Sequence, residues 1–150
     1  MGAQQAKAPR RRPMAPYVPS SKGQKTTHFR MKKHTVTKDF SFEAAHSLPH
    51  LPIGHKCRNT HGHSYKFRVE CCAPVDERGF VVDYSEISAA VNPIVAHLDH
   101  KNLNDIFPFF TTAENISAWL LDEISKTLPC AVRVVFFETA KTSVICEKSN

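Results

Sequence analysis

Two stretches of strict alternation constrain this chain more than anything else in it. Phe40, Phe42, Ala44 and His46 occupy every second position, with Asp39, Ser41 and Glu43 between them. The pattern resumes with His61, His63, Tyr65, Phe67 and Val69, separated by Ser64, Lys66, Arg68 and Glu70. A period of two is the mark of a half-buried strand, because successive side chains point to opposite faces. Two such strands, joined by a Pro-, Gly- and His-containing loop over roughly 48–60, predict an antiparallel sheet with one wet side. Lys66 and Arg68 fall on that wet side.

The middle of the chain changes period. Asp83 and Glu86 read as a capping box opening a helix toward Leu98, with Ile87, Val91, Ile94 and Leu98 as its apolar stripe. Pro93 interrupts that stripe and predicts a bend or break, since an interior proline costs ~3 kcal/mol. Thr111 and Glu114 read as a second capping box. The helix they open runs to about Lys126, turns Ile116, Trp119, Leu120 and Ile124 inward, and is stopped by Pro129. Val132, Val134, Phe136 and Glu138 then alternate as a third strand, and Ser143 to Glu147 form a short fourth. The order ββααββ is an α+β sandwich of one sheet and one helical layer.

At 150 residues there is enough chain for one domain with a real core. The net charge of +6 is unevenly placed. Residues 1–33 hold nine of the twenty Lys and Arg and no Asp or Glu, leaving eleven basic against fourteen acidic side chains in the remainder. This segment, rich in Pro, Gln, Ser, Lys and Arg, is expected to be a disordered basic tail before a domain at 34–150. A nucleic-acid arm or part of a transit peptide are the alternatives to a solvated charge run at Arg10–Arg12, and Met31 is a candidate natural start. No stretch approaches the ~18–20 apolar residues of a membrane span. Five cysteines, an odd and irregularly spaced set with Cys71 and Cys72 adjacent, argue against a disulfide framework and for a reducing, cytoplasmic location.

The histidines carry the chemistry. His61 and His63 lie two apart at the start of a strand, so both rings project from one face. His46 ends the neighbouring strand on the same inward face. Three neutral imidazoles leave a fourth position on zinc open, which is the catalytic arrangement rather than the closed structural one. The intervening Gly62 is expected to leave room for close approach. Cys57, four residues before His61, is open to three roles: fourth zinc ligand, nucleophile, or base, because a thiol beside a cation ionises more readily. Asp99-His100 sets a carboxylate beside an imidazole, although a His at a helix end is commonplace. Glu138, on the inward face of an apolar strand, needs either an internal partner or a ligand rich in N–H donors. Glu114 is assigned to capping, while His50 and His55, both in the loop, are open between exposed loop residues and functional ones.

Taken together, the stretches FSFEAAHSLPH (40–50), CRNTHGHSY (57–65), VVDYSEI (81–87), LDHKNLND (98–105), TTAENIS (111–117) and FET (137–139) resemble the 6-pyruvoyltetrahydropterin and 6-carboxytetrahydropterin synthase family. The Cys-x-x-x-His-Gly-His spacing is similar to the bacterial carboxy branch. The resemblance implies a tunnel fold, a four-stranded antiparallel sheet with two helices on one face, assembling as trimers into a barrel and stacking as hexamers with active sites between subunits. It implies Zn2+ on His46, His61 and His63, Cys57 as proton-abstracting base, Asp99 and His100 as a proton relay, and Glu138 as anchor of the pterin ring with help from backbone groups around Thr111 and Thr112. The implied substrate is 7,8-dihydroneopterin triphosphate, converted to 6-carboxytetrahydropterin, acetaldehyde and triphosphate on the way to queuosine and other 7-deazapurines. No nucleic acid and no membrane partner is expected. The rivals are the pyruvoyl product, cleavage of the related dihydroneopterin, and a non-catalytic zinc module that binds nucleic acid through its basic tail.

Overall fold

The computed structural model describes residues 32–149. Strands β1 (Lys33–His46) and β2 (His61–Pro74) pair antiparallel along their whole length, with His46 opposite His61 and Lys33 opposite Pro74. Helix α1 (Tyr84–Leu98) follows, then a two-residue strand β3 (Lys101–Asn102), a single helical turn α2 (Leu103–Ile106) and helix α3 (Ala113–Thr127). Strands β4 (Ala131–Thr139) and β5 (Thr142–Glu147) complete the sheet in the order β3-β1-β2-β4-β5. The four long strands are antiparallel, as the alternation predicts. β3, the addition, runs parallel to β1 at Ala44 and Ala45, and the sheet is therefore mixed and five-stranded. A two-residue strand and a four-residue helix are too short to leave a period in sequence.

The expected tail lies outside the described residues as far as residue 31, and Lys33 is already the first residue of β1. Among the described residues no helix is long and apolar enough to cross a membrane.

The core lies between sheet and helices. Phe42, Tyr65, Phe67, Val69, Val134 and Phe136 from the sheet meet Ile87, Val91 and Leu98 of α1 and Ile116, Leu120 and Ile124 of α3. Burying each side chain of this size contributes ~1.5–3 kcal/mol. Trp119 is half-buried, its ring edge-on to Phe107 at 4.8 Å. On the opposite face Arg68 forms a two-point ion pair with Asp39, its cross-strand partner, at 2.7 and 2.9 Å.

Three local expectations are corrected. Pro93 does not break α1, which is continuous from Tyr84 to Leu98. Both Pro93 and Ala89, whose carbonyl loses its helical donor, are exposed, which leaves that carbonyl open to hydration. The helix α3 is capped by Thr112, whose hydroxyl accepts from Asn115 N–H, and not by Thr111, which is fully buried. At α1 the Asp83 carboxylate caps Ser85 N–H, while Glu86 turns to Arg78 rather than closing a reciprocal box.

Candidate metal centre

Register alone brings the three histidines together. His46 faces His61 across the β1–β2 ladder, and His63 faces Ala44 two residues on, so all three rings stand on the core face at one end of the sheet. Their ligand nitrogens all lie within 4.8 Å of one another. His46 is 1% exposed.

The hydrogen bonds decide which nitrogen is free. Thr111 carbonyl lies 2.8 Å from His46 Nδ1, and Asn59 carbonyl 2.8 Å from His61 Nδ1. A carbonyl can only accept, so both Nδ1 atoms carry the proton and both Nε2 atoms present lone pairs. Those two Nε2 atoms face each other at 3.2 Å. The buried Nε2 of His63 has no hydrogen-bond partner among the described residues. Glu138 adds a carboxylate oxygen 3.4 Å from His46 Nε2 and 3.8 Å from His63 Nε2. Lone pairs and an anion converging on one point repel unless a cation stands among them. Two nitrogens on one tetrahedral zinc are ~3.4 Å apart, which matches the His46–His61 spacing. Burial holds the pKa values of His46 and His63 below the ordinary imidazole value, against the opposing pull of the Thr111 carbonyl on His46 and of Glu138 on both. Neutral rings are the form that binds a metal.

Gly62 is not required for this approach, contrary to expectation: a Cβ there would meet only the Ala44 carbonyl, at an ordinary 3.6 Å.

The remaining candidates lie around the cluster. Cys57 sits half-buried in a 3-10 turn (Lys56–Arg58), its N–H donating to His55 Nδ1 and its carbonyl accepting from Leu48 N–H at 2.7 Å. Its thiol is not a member of the ligand cluster. Asp99 and His100 sit across the sheet edge, with His100 Nδ1 2.8 Å from Asp99 Oδ2. Both are pinned to Glu43: its N–H donates to Asp99 Oδ1 at 2.9 Å, and its carbonyl accepts from His100 N–H at 2.6 Å. The Glu43 N–H first, and His100 second, hold the Asp99 carboxyl below its usual range. His100 adopts φ 57°, a left-handed conformation costing a β-carbon residue ~1–2 kcal/mol, and this turn delivers the chain from α1 into β3. His100 and His63 line one open depression of about 530 Å³. His63 and Glu138 line a second, of about 830 Å³. A third, of about 270 Å³, joins Glu138 to Leu48 and Thr112. The Thr112 N–H and hydroxyl are engaged within the chain, by Phe110 carbonyl and Asn115 N–H, and Thr111 gives its carbonyl to His46.

The model of the 6-pyruvoyl tetrahydropterin synthase family matches residues 35–149. The chain belongs to this family. It is 41% identical over 98 residues to the 6-carboxy-5,6,7,8-tetrahydropterin synthase of Synechocystis sp., covering 61% of this chain and 74% of that one. It is 34% identical over 94 residues to the dihydroneopterin monophosphate aldolase of Pyrococcus furiosus, covering 63% and 77%. Among solved structures, that of Caenorhabditis elegans 6-pyruvoyl tetrahydropterin synthase superimposes with a TM-score of 0.73 at 27% identity, over 81% of this chain and 99% of that one. The chain is thus an enzyme of the pterin synthase family with its tunnel fold. Family motifs account for the histidines, Cys57, Asp99, His100 and Glu138. They do not single out Asn59 or Glu43, which hold His61, Asp99 and His100 through backbone groups. A hydrogen bond to a backbone carbonyl leaves no residue-type signature in the partner.

Proposed function

We propose that this enzyme is a zinc-dependent 6-carboxytetrahydropterin synthase. It converts 7,8-dihydroneopterin triphosphate and water to 6-carboxy-5,6,7,8-tetrahydropterin, acetaldehyde and triphosphate, in queuosine or other 7-deazapurine synthesis. The observation that carries the metal is the convergence of the His46 and His61 Nε2 lone pairs and the His63 Nε2 atom beside Glu138. His46, His61 and His63 would hold the zinc ion, which would supply Lewis acidity toward a side-chain oxygen of the substrate.

The chain's own residues do the rest. Glu138 accepts from the N–H groups of the pterin ring, with Thr112 lining the adjoining cavity and Thr111 behind it on His46, and so orients the substrate side chain toward the three histidines. Cys57, as thiolate, withdraws a proton from the substrate side chain. His100 returns or accepts protons through Nε2, since Nδ1 is held by Asp99 and Asp99 by Glu43. No hydrogen bond or ion pair joins Cys57 to Asp99 or His100 among the described residues. This agrees with a site completed by a second copy of the chain, as trimers or hexamers would provide. The outer edges of β1 and β5, which among the described residues have no strand partner over most of their lengths, suit that assembly, and so does the exposed Ile145 on β5. Five free thiols agree with a cytoplasmic setting.

The deciding experiment is an assay of purified protein on dihydroneopterin triphosphate with product analysis. Release of acetaldehyde with a carboxylated tetrahydropterin supports this reading. A pyruvoyl product, or glycolaldehyde release from a dihydroneopterin substrate, would move the chain to the activities named for its Caenorhabditis and Pyrococcus relatives.

A further inference from the structure

Strand β1 loses its neighbours where the metal ligand stands. Pairing with β2 ends at His46, and pairing with β3 ends at Ala45, opposite Asn102. Two residues further along the same register, Ser47 falls opposite Asn104, but there the chain has already entered α2 and offers no strand backbone. The side chain of Asn104 takes its place. Ser47 N–H donates to Oδ1 at 2.7 Å and Nδ2 donates to the Ser47 carbonyl at 2.9 Å, the two bonds a neighbouring strand would make. The Ser47 hydroxyl also approaches Oδ1, at 3.5 Å. Nδ2 further reaches Thr111 Oγ1 at 3.4 Å, and that hydroxyl donates to the Ser47 carbonyl at 3.4 Å.

Both ends of this triangle bear on His46. Ser47 is the next residue in the chain, and Thr111 carbonyl is the acceptor that fixes the His46 tautomer. We propose that Asn104 is a positioning residue for the metal ligand His46, holding the unpaired end of β1 and the Thr111 carbonyl in one frame. The role rests on the zinc reading above. It requires an amide: a carboxylate would set an oxygen against the Ser47 carbonyl where Nδ2 now donates. Partners that orient a metal-bound imidazole typically alter metal affinity by ~10–100-fold when removed.

The test uses Co2+ as a visible probe of the site, with affinity measured by chelator competition on the full chain and independently of turnover. Asn104→Asp is expected to stay folded, to bind Co2+ ~10–100-fold more weakly, and to shift its visible absorption bands. Asn102→Ala, which removes the bond from Asn104 N–H to Asn102 Oδ1 that caps the same helical turn but leaves the Asn104 side chain on Ser47 and Thr111, is the control and is expected to keep the wild-type spectrum. A merely structural role for Asn104 would lower the melting temperature of both variants and leave both spectra alone, which overturns the proposal. Should Asn104→Asp fail to fold, the isosteric Thr111→Val cuts the triangle from its other corner. A several-fold weaker Co2+ affinity then supports the proposal, and wild-type affinity overturns it. If the wild-type chain takes up neither Co2+ nor Zn2+, the zinc reading fails and takes this role with it, an outcome distinct from normal uptake by the variants.

Discussion

At the scale of single residues, the site works by division of labour between rings and the groups that hold them. His46 and His61 are each committed at Nδ1 to a carbonyl, so each has one lone pair to offer, and it points at the other's. Cys57 stands outside this cluster, so the role proposed for it is separable from metal binding. Cys57→Ala is expected to keep zinc at wild-type stoichiometry, measured by elemental analysis, while turnover falls ~10²–10⁴-fold, the usual contribution of a general base. Zinc lost with the thiol would make Cys57 a ligand instead. Asp99 gives a pH dependence whose sign follows from its partners. Its folded pKa lies below the ordinary 3.8, so the stability it contributes is fully present above that value and is lost as pH falls through the folded pKa. Asp99→Asn is therefore expected to be less stable than wild type near neutral pH, with the gap closing below pH 3.8. Urea midpoints across a pH series measure this. Equal midpoints at neutral pH would show that the Glu43 and His100 contacts do not favour the charged form.

At the scale of elements, period was a reliable guide wherever an element was long enough to repeat it. The two 14-residue strands and two 15-residue helices follow the apolar patterns that announce them. The failures are physical and local. Thr111 and Thr112 are equally good caps by residue type, and only the hydrogen bonds of the Thr111 hydroxyl with Ser47 and Asn104 show which of them is spoken for. Pro93 looked like a breaker because sequence shows the lost N–H but not where the orphaned carbonyl points. Since that carbonyl belongs to exposed Ala89, the cost is borne without a break, yet it is still a cost. Pro93→Ala is expected to raise stability by ~1–3 kcal/mol, the range set by the helix-interior penalty of proline. Denaturant unfolding measures it, and an unchanged midpoint would mean that the helix has already relaxed around the ring.

At the scale of the molecule, every residue of the proposed site lies within the described residues 32–149. A chain lacking residues 1–31 is expected to retain wild-type zinc content and turnover. Salt-sensitive RNA or DNA binding that disappears with the extension, in a chain without turnover, would instead favour the nucleic-acid module. The three histidines were legible from the first because strand geometry is a local law: residues two apart share a face whatever surrounds them. The same law set the α+β class, the antiparallel long strands and the apolar face of each helix. What the linear chain could not contain is the meeting of distant polar groups. Thr111 reaches His46 from 65 residues away, Asn104 reaches Ser47 from 57, and Glu43 holds Asp99 from 56. Such bonds depend on distance and direction after packing, and they engage backbone atoms that every residue carries. Tertiary structure alone therefore decided which nitrogens are free to bind a metal, and which side chains keep them so.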